Sequence, residues 1–290
     1  MPMRQLKRNR QLALILLICS FFFSACSGLT TRISKRERDL NAKEAGKLLS
    51  LLSNQNLDLK TFKGVGRITH IKDGKKTLSN RIAWIGASPD RFRTVLSSAS
   101  GQPFLSFAGD AQWFYFFDHS QTQFYKQRAN SSIIKRAFSV TIKLDDIVSI
   151  LAGRIPVHQH RSAVLIKDRT SHKAPLMFSQ RRTDTVHSDP SKGDKDGYVL
   201  VLKKGWVNIC EKIYLYEDKK NIRKIEVFNL DGALAYRAEF NKMQNVNGYE
   251  IPAVIVFSNN EGSGFQLDVE RYWPHVHVSP SMFVLSPPEP

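Results

Sequence analysis

The sequence has few cysteines, few acidic residues and no apolar run long enough to cross a membrane. Three cysteines in 290 residues do not make a disulfide scaffold. The apolar run over residues 12–23 is shorter than the roughly 20 residues that a membrane-spanning helix needs. Lysine and arginine outnumber aspartate and glutamate by 43 to 26, for a net charge of +17. This composition excludes a disordered chain and a multi-span membrane protein, and the length allows one large all-β domain or two small ones.

Motifs of common catalytic sites are also missing. There is no Gly-x-Ser-x-Gly nucleophile elbow, and Gly64-Val65-Gly66 lacks the third glycine and the following helix of a dinucleotide site. The acidic pair Asp145-Asp146 stands at a predicted helix start, where it stabilises the helix dipole. We therefore expect no enzymatic activity.

Two histidine pairs have the spacing of metal ligands. His158 and His160, like His275 and His277, are two residues apart, so each pair would share one face of a strand. A zinc site needs three or four ligands, and no cysteine or carboxylate stands at a recognisable spacing to either pair. We interpret these as exposed or loop histidines and expect no metal and no cofactor.

The N-terminus is typical of a secretory signal peptide over residues 1–25. Basic residues at positions 4, 7, 8 and 10 precede the apolar run, which ends in Phe23-Ser24-Ala25-Cys26. Small residues just before a cysteine resemble the lipobox of bacterial lipoproteins. The resemblance implies that Cys26 becomes the first residue and carries a diacylglycerol and an N-acyl chain such as palmitate, which anchor the protein. The alternative is ordinary cleavage near Ala25 with a free Cys26.

Position 27 and the net charge bear on the location of the protein. Ser27 is not aspartate, and by resemblance to enterobacterial lipoproteins this implies the outer membrane, with the protein on the periplasmic side. A lipidated envelope protein does not meet nucleic acid, so anionic lipid headgroups are the expected counter-surface for the positive excess. A dispersed charge that only keeps the protein soluble is the alternative.

The remaining chain is predicted as one domain over residues 34–278, tethered by residues 26–33. A helix is predicted from Ser34 to about Asn54. Its apolar stripe consists of Leu40, Ala45, Leu48, Leu51 and Leu52. The stripe favours packing on the domain core, and a basic helix on the membrane surface is the alternative.

From residue 61 onward the pattern is that of short antiparallel strands. Residues 62–72 and 77–85 flank Asp73-Gly74, a hairpin turn, and a helix over residues 144–152 interrupts the strands. The polar segment 168–197 is predicted to be a flexible insertion, and residues 279–290 an extended Pro-rich tail. About eleven or twelve strands with few helices predict a mainly β, half-open antiparallel barrel.

Two segments carry notable apolar residues. Trp113-Phe114-Tyr115-Phe116-Phe117 is apolar on both faces of a strand, so the strand is either covered on both sides or lines a cavity on one. Cys210 stands in an alternating apolar segment and is interpreted as a small buried hydrophobe.

The succession of short motifs carries a family resemblance. After the lipobox and the Leu-rich helix come residues 62–68 (FKGVGRI), 82–84 (IAW), 90–93 (DRFR) and the helical segment 144–156 (LDDIVSILAGRIP). This order, over roughly residues 40–275, resembles the LolA/LolB lipoprotein-carrier superfamily, and most of all its LolB-type outer-membrane lipoproteins.

The resemblance implies a helical lid over an apolar cavity that receives the acyl chains of lipoproteins. The residues implied to line it are Trp84, Phe92, Leu96, Phe104, Phe107, Trp113, Phe114 and Phe116 of the sheet and Ile147, Ile150 and Leu151 of the lid. The expected function is binding of lipoprotein or lipid acyl chains at the outer membrane, in lipoprotein localisation or envelope assembly. The alternative is a structural lipoprotein with a filled barrel that docks on envelope proteins.

Overall fold

The computed structural model describes residues 35–129, 134–135, 139–168, 197–205 and 208–287. The chain divides into two units, residues 1–40 and residues 41–290, and the fold is that of the second unit. The predicted signal peptide, Cys26 and the predicted tether lie outside the described residues, as does the predicted insertion except at its two ends.

Two α-helices and thirteen strands are described from end to end. Helix α1 spans Lys35–Asn54 and helix α2 spans Leu144–Leu151. The strands are β1 Thr61–Lys72, β2 Lys75–Ala87, β3 Arg91–Ser97, β4 Pro103–Gly109, β5 Trp113–Asp118, β6 Gln123–Arg128, β7 Ser162–Asp168, β8 Gly197–Lys203, β9 Ile209–Leu215, β10 Ile222–Phe228, β11 Leu234–Val246, β12 Tyr249–Ser258 and β13 Gly264–Pro274. Within the described residues, no helix is long and apolar enough to cross a membrane.

All thirteen strands form one antiparallel sheet. Its order is β6-β5-β4-β3-β2-β1-β13-β12-β11-β10-β9-β8-β7, so β1 and β13 pair at the centre while β6 and β7 are the two edges. No pairing joins these edges within the described residues. The sheet is therefore half-open, which confirms the predicted fold class, with thirteen strands in place of eleven or twelve.

Local sequence signals account for the β1–β2 hairpin and leave one strand unpredicted. Asp73 and Gly74 have φ angles of 51° and 75°, the left-handed conformation that a two-residue hairpin turn requires. The predicted turn is thereby confirmed. Strand β7 gives no clear signal because it is an edge strand that exposes Ile166 and therefore lacks a clean apolar alternation.

Helix α1 packs an apolar stripe on the core, as predicted, but the stripe has a different member. Ala45, Leu48 and Leu52 are buried together with Leu49, whereas the predicted Leu51 is 71% exposed. The buried four follow the i, i+3, i+4, i+7 spacing of one helix face, and Leu51 lies off that face.

The two faces of the sheet differ along each strand. In β1, Phe62 and Ile68 are buried in the main core, while Lys63 and Arg67 on the opposite face are exposed. The main core unites one sheet face, here called the inner face, with the apolar sides of α1 and α2. Cys210 lies in this core, as predicted, with its Sγ 3.4 Å from the carbonyl oxygen of Leu202.

The outer face of β4 and β5 is covered by the C-terminal segment. Residues 280–283 form a 3₁₀ helix, and Leu285 is buried against Ala108 and Tyr115. The segment is therefore not a free extended tail, because Phe283 and Leu285 are both buried. This cover explains the apolar segment 113–117: its residues contribute alternately to the main core and to this outer cluster.

Candidate functional site

Helix α2 closes the inner face of the sheet like a lid. Its residues Val148, Ile150 and Leu151 are buried in the main core, and Asp145 and Asp146 occupy its first turn. The turn that ends the helix contains Gly153, which has a φ of +71°, and a Cβ added there would lie 2.1 Å from the carbonyl oxygen of Glu250. Only glycine fits this sharp end, where the chain turns back against β12.

A small apolar cavity lies between α2 and strands β1–β3, β12 and β13. Its volume is about 40 Å³. It is lined by Ile68, Ile82, Trp84, Phe92, Thr94, Ile134, Ile147, Leu151, Phe257, Phe265 and Leu267. Thr94 contributes the one hydroxyl of this wall, which already donates to the carbonyl oxygen of Ala83 at 2.9 Å. The indole N–H of Trp84 is buried and has no hydrogen-bond partner among the described residues, so the wall offers mainly apolar contact and carries no charge.

An open pocket of about 270 Å³ lies beside the start of α2. Phe114, Ile142 and Leu144 contribute part of its apolar lining. Its charged lining residues are Asp90, Asp110, Lys143 and Asp145. Burial and the neighbouring charge of Asp146 raise the pKa of Asp145. Because it borders the lid itself, this pocket gives solvent access to the first turn of α2.

The structure brings together only part of the predicted cavity wall. Trp84, Phe92, Ile147 and Leu151 line the cavity, and Phe114 lines the open pocket. Five other predicted residues belong to the main core or pack against it: Leu96, Phe104, Phe107 and Phe116 of the sheet and Ile150 of α2. Trp113 lies apart from all of them, on the outer face, with Lys126 Nζ 4.6 Å from its ring centre. Its place follows from strand alternation, since Phe114 and Phe116 point to the main core.

A cluster of charges joins the lid to the other half of the sheet. His158, in the segment after α2, lies with Nε2 3.4 Å from Asp146 Oδ1 and Nδ1 3.0 Å from Glu211 Oε2. Its backbone N–H also donates to Glu211 Oε2 at 3.1 Å. Asp146 belongs to α2 and Glu211 to β9, and both are buried. We call Asp146, His158 and Glu211 the ionic cluster.

Electrostatics fix the charge state of His158 in the ionic cluster. Burial alone would lower the pKa of His158, but hydrogen bonds and charges of Asp146 and Glu211 raise it to about 10. The imidazole is therefore protonated at neutral pH. Burial raises the pKa of Glu211, against the opposing effect of His158, and burial together with Asp146 raises the pKa of Tyr236.

The cluster is incompletely satisfied. Asp146 Oδ2 and Glu211 Oε1 are buried and make no hydrogen bond within the described residues. Burial of a carboxyl group with an unused acceptor costs free energy of desolvation. The positive imidazole between the two carboxyl groups offsets part of that cost. Removal of the imidazole would leave both carboxyl groups buried without the cation that they share.

Arg154 fixes the segment that follows the lid. Its Nη1 donates to the carbonyl oxygen of Leu59 at 3.0 Å and its Nη2 to Ser88 Oγ at 3.1 Å. Asn56 completes the clamp, since its Nδ2 donates to the carbonyl oxygens of Ala152 and Glu250. The C-terminal end of α2 is thus bonded to the loop between α1 and β1, to the β2–β3 turn and to β12.

The other predicted metal-ligand spacings do not converge. His160 Nδ1 lies 2.9 Å from the carbonyl oxygen of His158, and His275 Nε2 lies 2.7 Å from the hydroxyl of Tyr249. Among the described residues, no group of three or more histidine, cysteine, aspartate or glutamate side chains could hold a metal ion. The chemistry that the site supports is non-covalent enclosure of an aliphatic group.

Comparison with solved structures identifies the fold. A LolA superfamily protein from Nitrosomonas europaea superposes with a TM-score of 0.51 at 14% identity, over 83% of this chain and 97% of that chain. A DUF1329 family protein from Desulfovibrio piger gives a TM-score of 0.52 at 11% identity, over 84% and 97%. A candidate outer membrane lipoprotein-sorting protein domain from Vibrio parahaemolyticus gives 0.51 at 10%, over 84% and 97%. The chain has a LolA-like fold.

These identities are low, so the comparison shows the fold alone and does not identify a ligand. No family model matches the sequence, and no curated protein matches it. The resemblance drawn from the order of short motifs is nevertheless confirmed at the level of the LolA-like fold.

Sequence reasoning misses the ionic cluster of this protein. It interprets His158 as an exposed or loop residue and Asp146 as a partner of the helix dipole. One signal is present in the sequence: Glu211 shares the strand parity of Ile213 and Leu215, both fully buried. A carboxylate at an inward position of an apolar strand needs a partner, although the sequence alone does not say which one.

Proposed function

We propose that this LolA-like protein is an outer-membrane-anchored lipoprotein that binds acyl chains of lipoproteins or lipids beneath α2, in lipoprotein localisation or envelope assembly. The observation that carries the proposal is the cavity between α2 and the sheet, whose wall is uncharged and mainly aliphatic and aromatic. An aliphatic chain suits such a wall, because each Å² of buried apolar area contributes about 25 cal/mol without polar geometry.

Binding requires the lid to move. A cavity of about 40 Å³ is far below the roughly 300–1,000 Å³ of ordinary ligand pockets, so an acyl chain fits only when α2 shifts away from the sheet. The chain would then replace the contacts that Ile147 and Leu151 make with Trp84 and Phe92. The mechanism is non-covalent, and the membrane competes for the same chain.

The envelope setting of the proposal rests on the N-terminus and on the relatives in fold. The acylated Cys26 would be the anchor, with lipoproteins or lipids and the outer membrane as partners and no enzymatic role. The names of two structural neighbours, a LolA superfamily protein and a candidate lipoprotein-sorting domain, agree with a lipid-binding role for this fold.

A displacement assay with a fluorescent fatty acid tests the proposal. We expect saturable binding at micromolar concentration that palmitate displaces. Ile147→Asn, at a half-buried lid position, places a polar group in the cavity wall and should weaken binding about tenfold, because a buried isoleucine contributes about 1.5–3 kcal/mol. Leu230→Asn makes the same kind of change at an 84% exposed position and should leave affinity unchanged.

A second candidate function follows from the small size of the cavity. A protein whose inner face is permanently filled would act as a structural lipoprotein that docks on envelope proteins. It would show no displaceable binding of the fatty acid, equal results for Ile147→Asn and Leu230→Asn, and a stable protein partner that co-purifies without lipid. Any displaceable binding that depends on Ile147 rejects it.

A further inference from the structure

A second hollow lies on the outer face of the sheet, away from the lid. It consists of two adjoining depressions of about 590 Å³ and 310 Å³ over β13, β1, β2 and β3, which share Val65, Ala83 and Trp273. We call their combined surface the outer groove. The β1–β13 register shifts between Val65 and Gly66, and a Cβ on Gly66 would lie 2.1 Å from the carbonyl oxygen of Asp268. The irregularity gives this part of the sheet a kinked surface.

The floor of the outer groove is apolar. Val65, Ala83 and Val95 are direct cross-strand partners on β1, β2 and β3, and they contribute a row of aliphatic surface. Trp273 is 37% exposed at one side, and Lys63 Nζ lies 5.0 Å from its ring centre. An exposed indole beside a lysine and an aliphatic floor is the combination found at membrane–water interfaces.

The walls of the outer groove are positively charged and largely unpaired. Lys63, Arg81, Arg93 and Arg271 line it, and none of them forms an ion pair with a described carboxylate. Glu270 is the one acidic residue among the described lining residues, and it faces Arg67 at 3.7 Å. Arg93 is held in place because its Nη1 donates to the carbonyl oxygen of Met282. The groove therefore concentrates positive charge that the described part of the protein does not neutralise.

The exposure of these cations decides the kind of partner. Exposed side chains such as Arg81 and Arg271 remain hydrated, so each contributes only about 1 kcal/mol at a charged surface and a single small anion gains little. An extended surface that presents many anions at once gains from all four. The apolar floor and Trp273 add contacts that a lipid interface satisfies.

We propose that the outer groove docks the protein on a bilayer surface that carries anionic phospholipid headgroups, with Trp273 at the interface. Trp84 and Thr94 border both the groove and the inner cavity. The proposal is nevertheless independent of the inner cavity, because its four cations and Trp273 do not line that cavity. It places the sheet against the membrane and leaves α2 free to move.

Vesicle sedimentation tests the docking surface. The full chain would carry Cys26→Ser, so that no acyl group contributes, and would be mixed with vesicles of phosphatidylglycerol and phosphatidylcholine or of phosphatidylcholine alone. We expect a preference for the anionic vesicles that decreases as salt rises from about 0.1 to 1 M, because the Debye length falls from about 10 to 3 Å. The double variant Arg81→Glu/Arg271→Glu should bind anionic vesicles more than about thirtyfold more weakly, because loss of the two cations alone removes about 1 kcal/mol each and the two new carboxylates are repelled.

A matched variant separates the effect of the groove cations on vesicle binding from the effect of the net charge of the protein. Lys204→Glu/Lys242→Glu changes the charge by the same amount at exposed positions outside the groove and should retain binding. The neutral variant Arg81→Gln/Arg271→Gln should fall between the wild type and the double reversal. Equal weakening by both glutamate variants, or no preference for anionic vesicles, overturns the proposal.

Two further measurements complete the test. Binding to soluble polyglutamate shows whether the partner is an acidic protein, and binding of the fatty acid shows whether each variant is folded. If the groove variant loses binding to soluble polyglutamate but keeps its binding to vesicles, the partner is an acidic protein and the proposal is wrong. Affinity for the fluorescent fatty acid should be the same in every groove variant, which also shows that each variant is folded. Loss of vesicle binding with unchanged fatty-acid binding supports the groove and leaves the proposed function of the inner cavity intact.

Discussion

Helix α2 meets the sheet through two contacts of opposite character. Toward β1–β3, β12 and β13 the contact is apolar and encloses the small cavity, with Ile147 and Leu151 facing Trp84 and Phe92. Toward β9 it is ionic, through Asp146, His158 and Glu211. An aliphatic ligand can replace the apolar contact of this eight-residue helix but cannot replace its ionic contact.

The difference predicts how the lid moves. Apolar contacts are non-directional, so an acyl chain that replaces them restores most of the lost free energy. The ionic contact is directional, and its separation leaves two buried carboxylates without their cation. We therefore expect α2 to open on its apolar side and to pivot about the ionic cluster and the Arg154 clamp, which bond the turn after the helix to the sheet.

Removal of the central cation should give the largest effect. His158→Ala leaves Asp146 and Glu211 buried and unpaired, and should lower the free energy of unfolding by about 3–5 kcal/mol, the cost of breaking a buried ion pair. Thermal and urea denaturation measure it. His277→Ala removes an exposed histidine and should stay within about 0.5 kcal/mol of the wild type. Similar losses in the two variants would show that the ionic contact does not hold the lid.

The pH dependence of stability should reveal the same contact with a smaller effect. A histidine pKa raised from 6.5 to about 10 on folding stabilises fully below pH 6.5, and this contribution is lost as the pH rises through 10. Glu211, whose pKa is also raised on folding, acts in the same direction from lower pH. Urea denaturation at about pH 6, 8 and 10 should therefore show a stability advantage of the wild type over His158→Gln that shrinks with pH. A constant advantage would contradict the assigned charge state.

The apolar contact could be predicted from the sequence, and the ionic one could not. The family resemblance implies that Trp84 and Phe92 line the cavity, and both do. Their direction agrees with strand alternation, because a strand exposes alternate side chains to alternate faces. The segment 144–156 likewise indicates a helix that ends at Gly153. These features are local, and the sequence records them within a few residues.

The ionic contact depends on separations that no local pattern contains. His158 is 53 residues from Glu211 along the chain, and the two meet where the segment after α2 lies against β9. The sequence does not indicate which face of the sheet Trp113 occupies, for a related reason. Its neighbours are apolar on both sides, so alternation indicates no face, and the cover supplied by Leu285 comes from the far end of the chain.

The smallest effect should come from crowding the apolar side. Gly64 lies against Trp84, and a Cβ at that position would be 2.2 Å from the indole ring. Gly64→Ala should therefore push Trp84 toward the cavity, at a cost of about 1–3 kcal/mol for overpacking, and weaken fatty-acid binding because the lid can no longer exchange its contacts freely. Gly46→Ala makes the same substitution in α1, where no described atom lies within 4 Å of the added Cβ, and should be neutral or stabilise by up to about 1 kcal/mol. Unchanged fatty-acid affinity in Gly64→Ala would place the ligand away from Trp84. A loss of affinity in Gly64→Ala but not in Gly46→Ala would show that the ligand replaces the apolar contact of α2 and leaves the ionic contact in place.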